Sequence, residues 1–164
     1  MRVFVKVGLT ILLCVYLLIL SKLILFKYFT VPDIISHFTF SDDDPFWWNS
    51  HNFIPFKTII YYLFLADINL NIRVENIAGN IIGFSPFGFI LPLLSKKFLS
   101  LKKVIIAAFC LSLTFEITQL VFKFGSFDVD DLILNTLGGA LGYLPIYSTF
   151  LIIKYQKKQQ ELIE

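Results

Sequence analysis

The residues able to do chemistry stand in three short stretches, all set against apolar sequence. Glu116 and Gln119 lie three apart inside one apolar run. Asp128, Asp130 and Asp131 follow in a tight turn, with Asn135 one helical turn beyond them. Asn76 and Asn80, four apart, open another apolar run just after Arg73 and Glu75. At these spacings each pair shares one face of a helix. Carboxylates so placed could act as acid and base, hold a divalent cation or bind an ammonium group, while the amides orient a head group. Each also has a quieter reading. Glu116 could be a hydrogen-bonded acid pinning helices together, and Asn80, Gln119 and Asn135 could be interhelical glue. Asp128 or Asp130 could cap a helix, which explains one Asp of the turn more readily than three. His37 and His51 form no ligand-spaced set and read as surface histidines. No Ser-His-Asp order, HExxH motif, P-loop or dinucleotide fingerprint is present. The residues therefore name no cofactor; a divalent cation is the group such acids would hold.

The elements that must position these residues are membrane helices. Of 164 residues, 57% are hydrophobic and only 16% charged, with a mean hydropathy of +0.76. A soluble domain of this length cannot hide so much apolar surface. The expected class is all-α: an integral membrane bundle of four transmembrane helices, read as a single domain over 1–164. The spans fall at about 3–26, 77–94, 104–122 and 132–153, each near the ~20 residues that a hydrocarbon core requires. Residues 28–76 form a long connection outside the membrane. Within it, the short apolar piece from Ile59 to Ala66 cannot cross a bilayer and reads as an interfacial or re-entrant segment. Pro86 and Pro92 predict a kinked or broken second span. Gly79-x-x-x-Gly83 and Gly138-x-x-x-Gly142 are small-residue faces suited to close helix contact. Cys14 and Cys110 read as buried thiols acting as small apolar side chains. The net charge of +2 is too small to argue for nucleic acid; membrane lipids are the expected surroundings.

Basic residues set the expected orientation. With both termini in the cytoplasm, nine of the fourteen Lys and Arg residues fall inside, including Lys96, Lys97, Lys102 and Lys103. The third span then runs outward and the second and fourth run inward. Glu116 comes to lie roughly 9 Å below the outer end of its helix, at ~1.5 Å per residue. Asn76, Asn80, Asp131 and Asn135 belong to the first turns of the inward-running spans. All three polar stretches should meet in the outer leaflet.

The residues also carry a family pattern. The run N-x-x-G-N-x-x-x-F-x-P-x-G-x-x-L-P, from Asn76 to Pro92, resembles the VanZ-like family. So do E-x-x-Q (Glu116, Gln119) and F-D-V-D-D-L-I-L-N-T-L-G (Phe127 to Gly138), with Asn52-x-x-Pro55-Phe56 and Arg73 upstream. The likeness covers roughly Asn52 to Leu144. It departs at Gly125-Ser126-Phe127, where many members carry an arginine. The resemblance implies a small bacterial cell-membrane protein, typically of Gram-positive organisms. It also implies a link to low-level teicoplanin resistance through the founding member. The site reading that follows takes Glu116 and Asp131 as the acid–base or metal-binding carboxylates. Asn76, Asn80, Gln119, Asp128, Asp130, Asn135 and Arg73 would then bind a lipid-linked envelope precursor. A non-catalytic scaffold or partner-binding protein is the rival.

Overall fold

The fold follows from four helices long and apolar enough to cross a membrane. The computed structural model describes residues 2–26, 50–65 and 69–161. Helix α1 spans Arg2–Leu25. After the connection that follows α1 come a single turn, α2 (Lys57–Ile60), and a π-helical turn, Tyr61–Leu65. Then follow α3 (Leu70–Leu94), α4 (Leu101–Phe122) and α5 (Val129–Glu161). Among the described residues there is no strand, only one isolated bridge between Asn52 and Asp128. The chain is therefore an all-α, four-span membrane protein. The acidic and Trp-rich part of that connection, together with His37, lies outside the described residues.

Helix limits exceed the apolar runs for a physical reason. Hydropathy marks where hydrocarbon ends, whereas helical hydrogen bonding continues into the headgroup zone. Thus α3 begins seven residues before Ile77, and Asn76 and Asn80 stand in its second and third turns. The 33 residues of α5 reach roughly 50 Å at ~1.5 Å per residue, against ~30 Å of hydrocarbon. The polar segment from Lys154 onward continues this helix to Glu161. Pro86 and Pro92 sit inside α3 without ending it. Next to Pro86, the Ser85 hydroxyl lies 2.8 Å from the Ile81 carbonyl and 3.2 Å from that of Gly138 on α5. It thus ties α3 to its neighbour beside the missing proline donor.

Packing centres on α5, which makes the two most extensive interfaces, with α3 and then α4. Three glycines let α3 and α5 approach backbone to backbone. A Cβ on Gly138 would collide with the Ile81 carbonyl, one on Gly142 with that of Ser85, and one on Gly88 with that of Gly139. The expected Gly138/Gly142 face is therefore a contact face. Gly79 and Gly83 are not its counterpart. Nothing lies within 4 Å of a Cβ at Gly79, and Gly83 meets only Leu20. The α3 side of the contact is instead the Ile81 and Ser85 backbone plus Gly88. These contacts run in register, 81 with 138 and 85 with 142, so α3 and α5 are parallel. Helix α4 is antiparallel to α5, as Ser112 pairs with Asn135 and Ala108 with Gly139.

Leu20, Phe84, Phe87, Ala108 and Phe115 form the buried core. Phe84 and Phe115 meet edge to face at 6.4 Å. Helix α1 packs against α3 and α4, and its Tyr16 hydroxyl donates to the Gly83 carbonyl at 2.6 Å. Most of its remaining surface is exposed, as a lipid-facing helix requires. Cys14 and Cys110 are exposed on helix surfaces, not buried. In a bilayer the outward face is itself apolar, so an apolar side chain has no reason to turn inward.

Candidate functional site

The chain between α4 and α5 turns on two devices. Lys123 adopts a left-handed conformation (φ 54°) that ends α4. Asp128 then caps α5, its Oδ1 accepting from the Asp130 N–H at 2.8 Å. The same carboxylate accepts from Asn52 Nδ2 at 2.8 Å and Thr58 Oγ1 at 2.6 Å. From below, Glu116 Oε2 accepts the Asp128 N–H at 2.8 Å. Glu116 is 1% exposed, so its burial is matched by a bond to the turn.

Asp130 serves a different element. It is fully buried, and its carboxylate accepts from the N–H groups of Phe56, Thr58 (2.7 Å) and Ile59 (3.1 Å). Those are the free donors at the start of α2, which no side chain of α2 itself caps. Phe56 holds a left-handed conformation (φ 67°) there. The docking is completed by Asn52, whose N–H donates to Phe127 O (2.8 Å) and whose carbonyl accepts from Val129 N–H (3.0 Å). His51 follows the same course: it is buried, and its Nδ1 accepts the Phe127 N–H at 2.9 Å. Burial holds the imidazole below its ordinary range. His51 is therefore an internal brace and not a surface histidine, because the segment before α2 folds back onto the turn. Tyr61, Phe64 and Leu65, beyond α2, remain exposed, as befits an interfacial segment.

The other predicted residues meet around a cavity of about 420 Å³ walled by α1, α2, α3, α5 and the end of α4. Asn80 Nδ2 donates to Asp131 Oδ1 at 2.5 Å, joining α3 to α5. Gln119 Nε2 donates to the Ile24 carbonyl at the end of α1 (3.1 Å), and Asn135 Nδ2 to Ser112 Oγ (2.9 Å). Asn76 donates within its own helix to Ile72 O at 2.8 Å. Asn76, Asn80, Gln119, Asp131 and Asn135 all line this space, with Glu75, Asp128 and Thr58; Glu116 and Asp130 do not. Arg73 belongs to α3, but its side chain lies outside the described residues. Among the described residues, no group of three or more His, Cys, Asp or Glu is arranged to hold a metal ion. The acids diverge: Asp130 turns to α2, Asp128 to Asn52 and Thr58, and Asp131 to the cavity.

Three residues that hold the site or the helices around it escaped the sequence reading. Thr58 and Ser112 look like ordinary helix residues. Tyr16 lies in the first span, from which no candidate site residue was named. None shows a spacing signal, because Asp128, Asn135 and Gly83, with which they bond, are each more than twenty residues away.

The class of protein is thus a four-span helical membrane protein whose amides and acids gather at one end, many of them around a partly apolar cavity. The family model VanZ/LLP1 matches residues 13–153, and the chain belongs to that family. It is 34% identical over 152 residues to Protein VanZ of Enterococcus faecium, covering 93% of this chain and 81% of that one. No solved structure matches it.

Proposed function

We propose that this protein acts at the outer leaflet of the bacterial cell membrane, receiving a lipid-linked envelope molecule in the cavity between α1, α3 and α5. A contribution to glycopeptide (teicoplanin) resistance comes with the family resemblance. The observation that carries the reading is the cavity's lining: Asp131, Asn80, Asn76, Gln119 and Asn135 beside Leu20, Leu23 and Ile24. A polar end next to an apolar wall suits an amphiphile. The outer placement rests on the positive-inside rule, with Lys96, Lys97, Lys102 and Lys103 at the opposite end of α3 and α4.

The two carboxylates singled out from sequence take separate roles. Asp131, at the cavity, is the group that contacts the ligand and would act as acid or base if chemistry follows. Glu116 holds the turn through the Asp128 N–H. The rival reading, a scaffold whose polar set only assembles helices or docks a partner, is favoured by the backbone bonds that Glu116, Asp128 and Asp130 accept.

The test compares wild type, Asp131→Asn and Glu116→Gln in a susceptible Gram-positive host. Teicoplanin susceptibility, lipid-precursor profile and membrane abundance are read together, with topology reporters at Lys97 and Phe124. Asp131→Asn should abolish the phenotype at unchanged abundance, whereas Glu116→Gln should lower abundance. Full activity of Asp131→Asn, or a reporter outside at Lys97, overturns the proposal; loss of abundance in both variants supports the scaffold.

A further inference from the structure

The end of the bundle away from the cavity carries a second concave surface. A short turn joins α3 to α4 there. Ser95 Oγ accepts the Lys97 N–H at 3.4 Å and opens a 3-10 turn, Lys96–Phe98. The Tyr143 hydroxyl of α5 fixes this turn by donating to the Leu99 carbonyl at 2.5 Å. Lys97 and Phe98 thereby stand against Lys103, Ile106 and Ala107 of α4, and the five line a groove of about 580 Å³. Lys103, Ile106 and Ala107 share one helix face by their spacing. Ile106 is half exposed, so the groove opens outward, where a membrane helix meets lipid. The described acids lie elsewhere. Glu75, Glu116, Asp128, Asp130 and Asp131 belong to the cavity end, and Glu161 stands roughly 27 Å past Tyr143 along α5, at ~1.5 Å per residue. The connections 27–49 and 66–68, which hold the other acids before α3, join elements that meet at the cavity end.

We propose that this groove binds an anionic phospholipid, its phosphate between the ammonium groups of Lys97 and Lys103 and an acyl chain along Phe98, Ile106 and Ala107. The positive-inside rule accounts for lysines anywhere in a short loop. It does not account for two of them lining one hollow with an apolar floor, where like charges repel until an anion lies between them. Lysine suits the task, since its stem packs on apolar surface while its head reaches a phosphate. Basic pockets between membrane helices hold lipid phosphates in this way. A soluble anion gains nothing from the apolar floor, whereas a phospholipid matches both parts of the lining. Occupancy here does not depend on what enters the cavity at the other end.

Full-length protein in a neutral detergent is titrated with dioleoyl phosphatidylglycerol or dioleoyl phosphatidylcholine, with and without inorganic phosphate, and bound lipid is counted by native mass spectrometry. One saturable phosphatidylglycerol is expected, at least about tenfold tighter than phosphatidylcholine and undisturbed by equimolar inorganic phosphate. Lys97→Gln combined with Lys103→Gln should weaken it about 30-fold, the loss of two lysines at a lipid phosphate. Lys96→Gln combined with Lys102→Gln removes the same charge beside the groove and should cost less than about threefold. Ile106→Trp keeps every charge, fills the groove and should abolish the site. Both groove lysines are exposed, so their double variant should fold; if it fails to accumulate, Ile106→Trp decides the matter by itself. Equal losses in the two double variants overturn the proposal in favour of a diffuse basic surface. Phosphatidylcholine binding as tightly, or unchanged binding in Ile106→Trp, overturns it as well. Displacement by inorganic phosphate overturns the lipid as occupant and leaves a soluble anion.

Discussion

Replacing Asp130 by Asn tests how α2 is held. The wild-type carboxylate is fully buried, with one oxygen on the Phe56 N–H and the other on those of Thr58 and Ile59. An amide has one acceptor oxygen. In its better orientation it keeps the Thr58 and Ile59 bonds, now to a neutral oxygen, and turns an NH2 group toward the Phe56 N–H. One buried donor is then unsatisfied, at about 1–3 kcal/mol, and two bonds lose their charge assistance. The sum is on the order of 3 kcal/mol. The four spanning helices do not depend on this group, so the loss should appear as local opening of α2 and not as unfolding. Amide hydrogen exchange at Thr58 and Ile59, followed by mass spectrometry in nanodiscs, should accelerate by about 150-fold, the equivalent of 3 kcal/mol. Exchange within the core of α4, around Ala108, should be unchanged. Protection of Thr58 and Ile59 within threefold of wild type would refute the assignment of Asp130 as the anchor of α2.

Two further outcomes follow from the geometry. Gly142→Ala drives a methyl into the Ser85 carbonyl and should cost about 1–3 kcal/mol as α3 and α5 separate. Gly79→Ala, facing open space in the same fold, should be neutral or stabilising by up to ~1 kcal/mol; unfolding midpoints in mixed micelles compare them, and equal midpoints would contradict the packing. The lowered pKa of His51 means that folding favours the neutral ring. Its contribution is complete above the ordinary value of 6.5 and is lost as pH falls from there through the folded value. Exchange at the Phe127 amide should therefore be flat from pH 8 to 6.5, once corrected for intrinsic rates, and rise below; His51→Phe should remove that dependence. Greater protection at lower pH would reverse the sign.

Much of the site could be read from spacing because helices repeat regularly. Glu116 and Asn80 were recognisable as polar groups that a membrane helix carries only for a reason, and topology brought them to one end. The Asp-x-Asp-Asp turn resisted division, since a one-residue change in position on a tight turn redirects a side chain completely. Only the folded chain distinguishes Asp128, the cap of α5, from Asp130, the anchor of α2, and from Asp131, which faces the cavity. The same holds for the glycines. Gly79 and Gly142 have equal claims in a small-residue pattern, yet one borders the cavity and the other a neighbouring carbonyl.

By itself the sequence determined the class, the four spans and the set of polar residues that must avoid lipid, because hydropathy and helical period are local properties of the chain. The tertiary structure decided the partners. The return of Asn52 and Thr58 onto the turn, the burial of His51 and the bonds of Asn80 to Asp131 and of Gln119 to Ile24 all depend on contacts between residues far apart in sequence. No local pattern encodes such contacts, since they arise only when unpaired donors and acceptors in a low-dielectric interior must find each other.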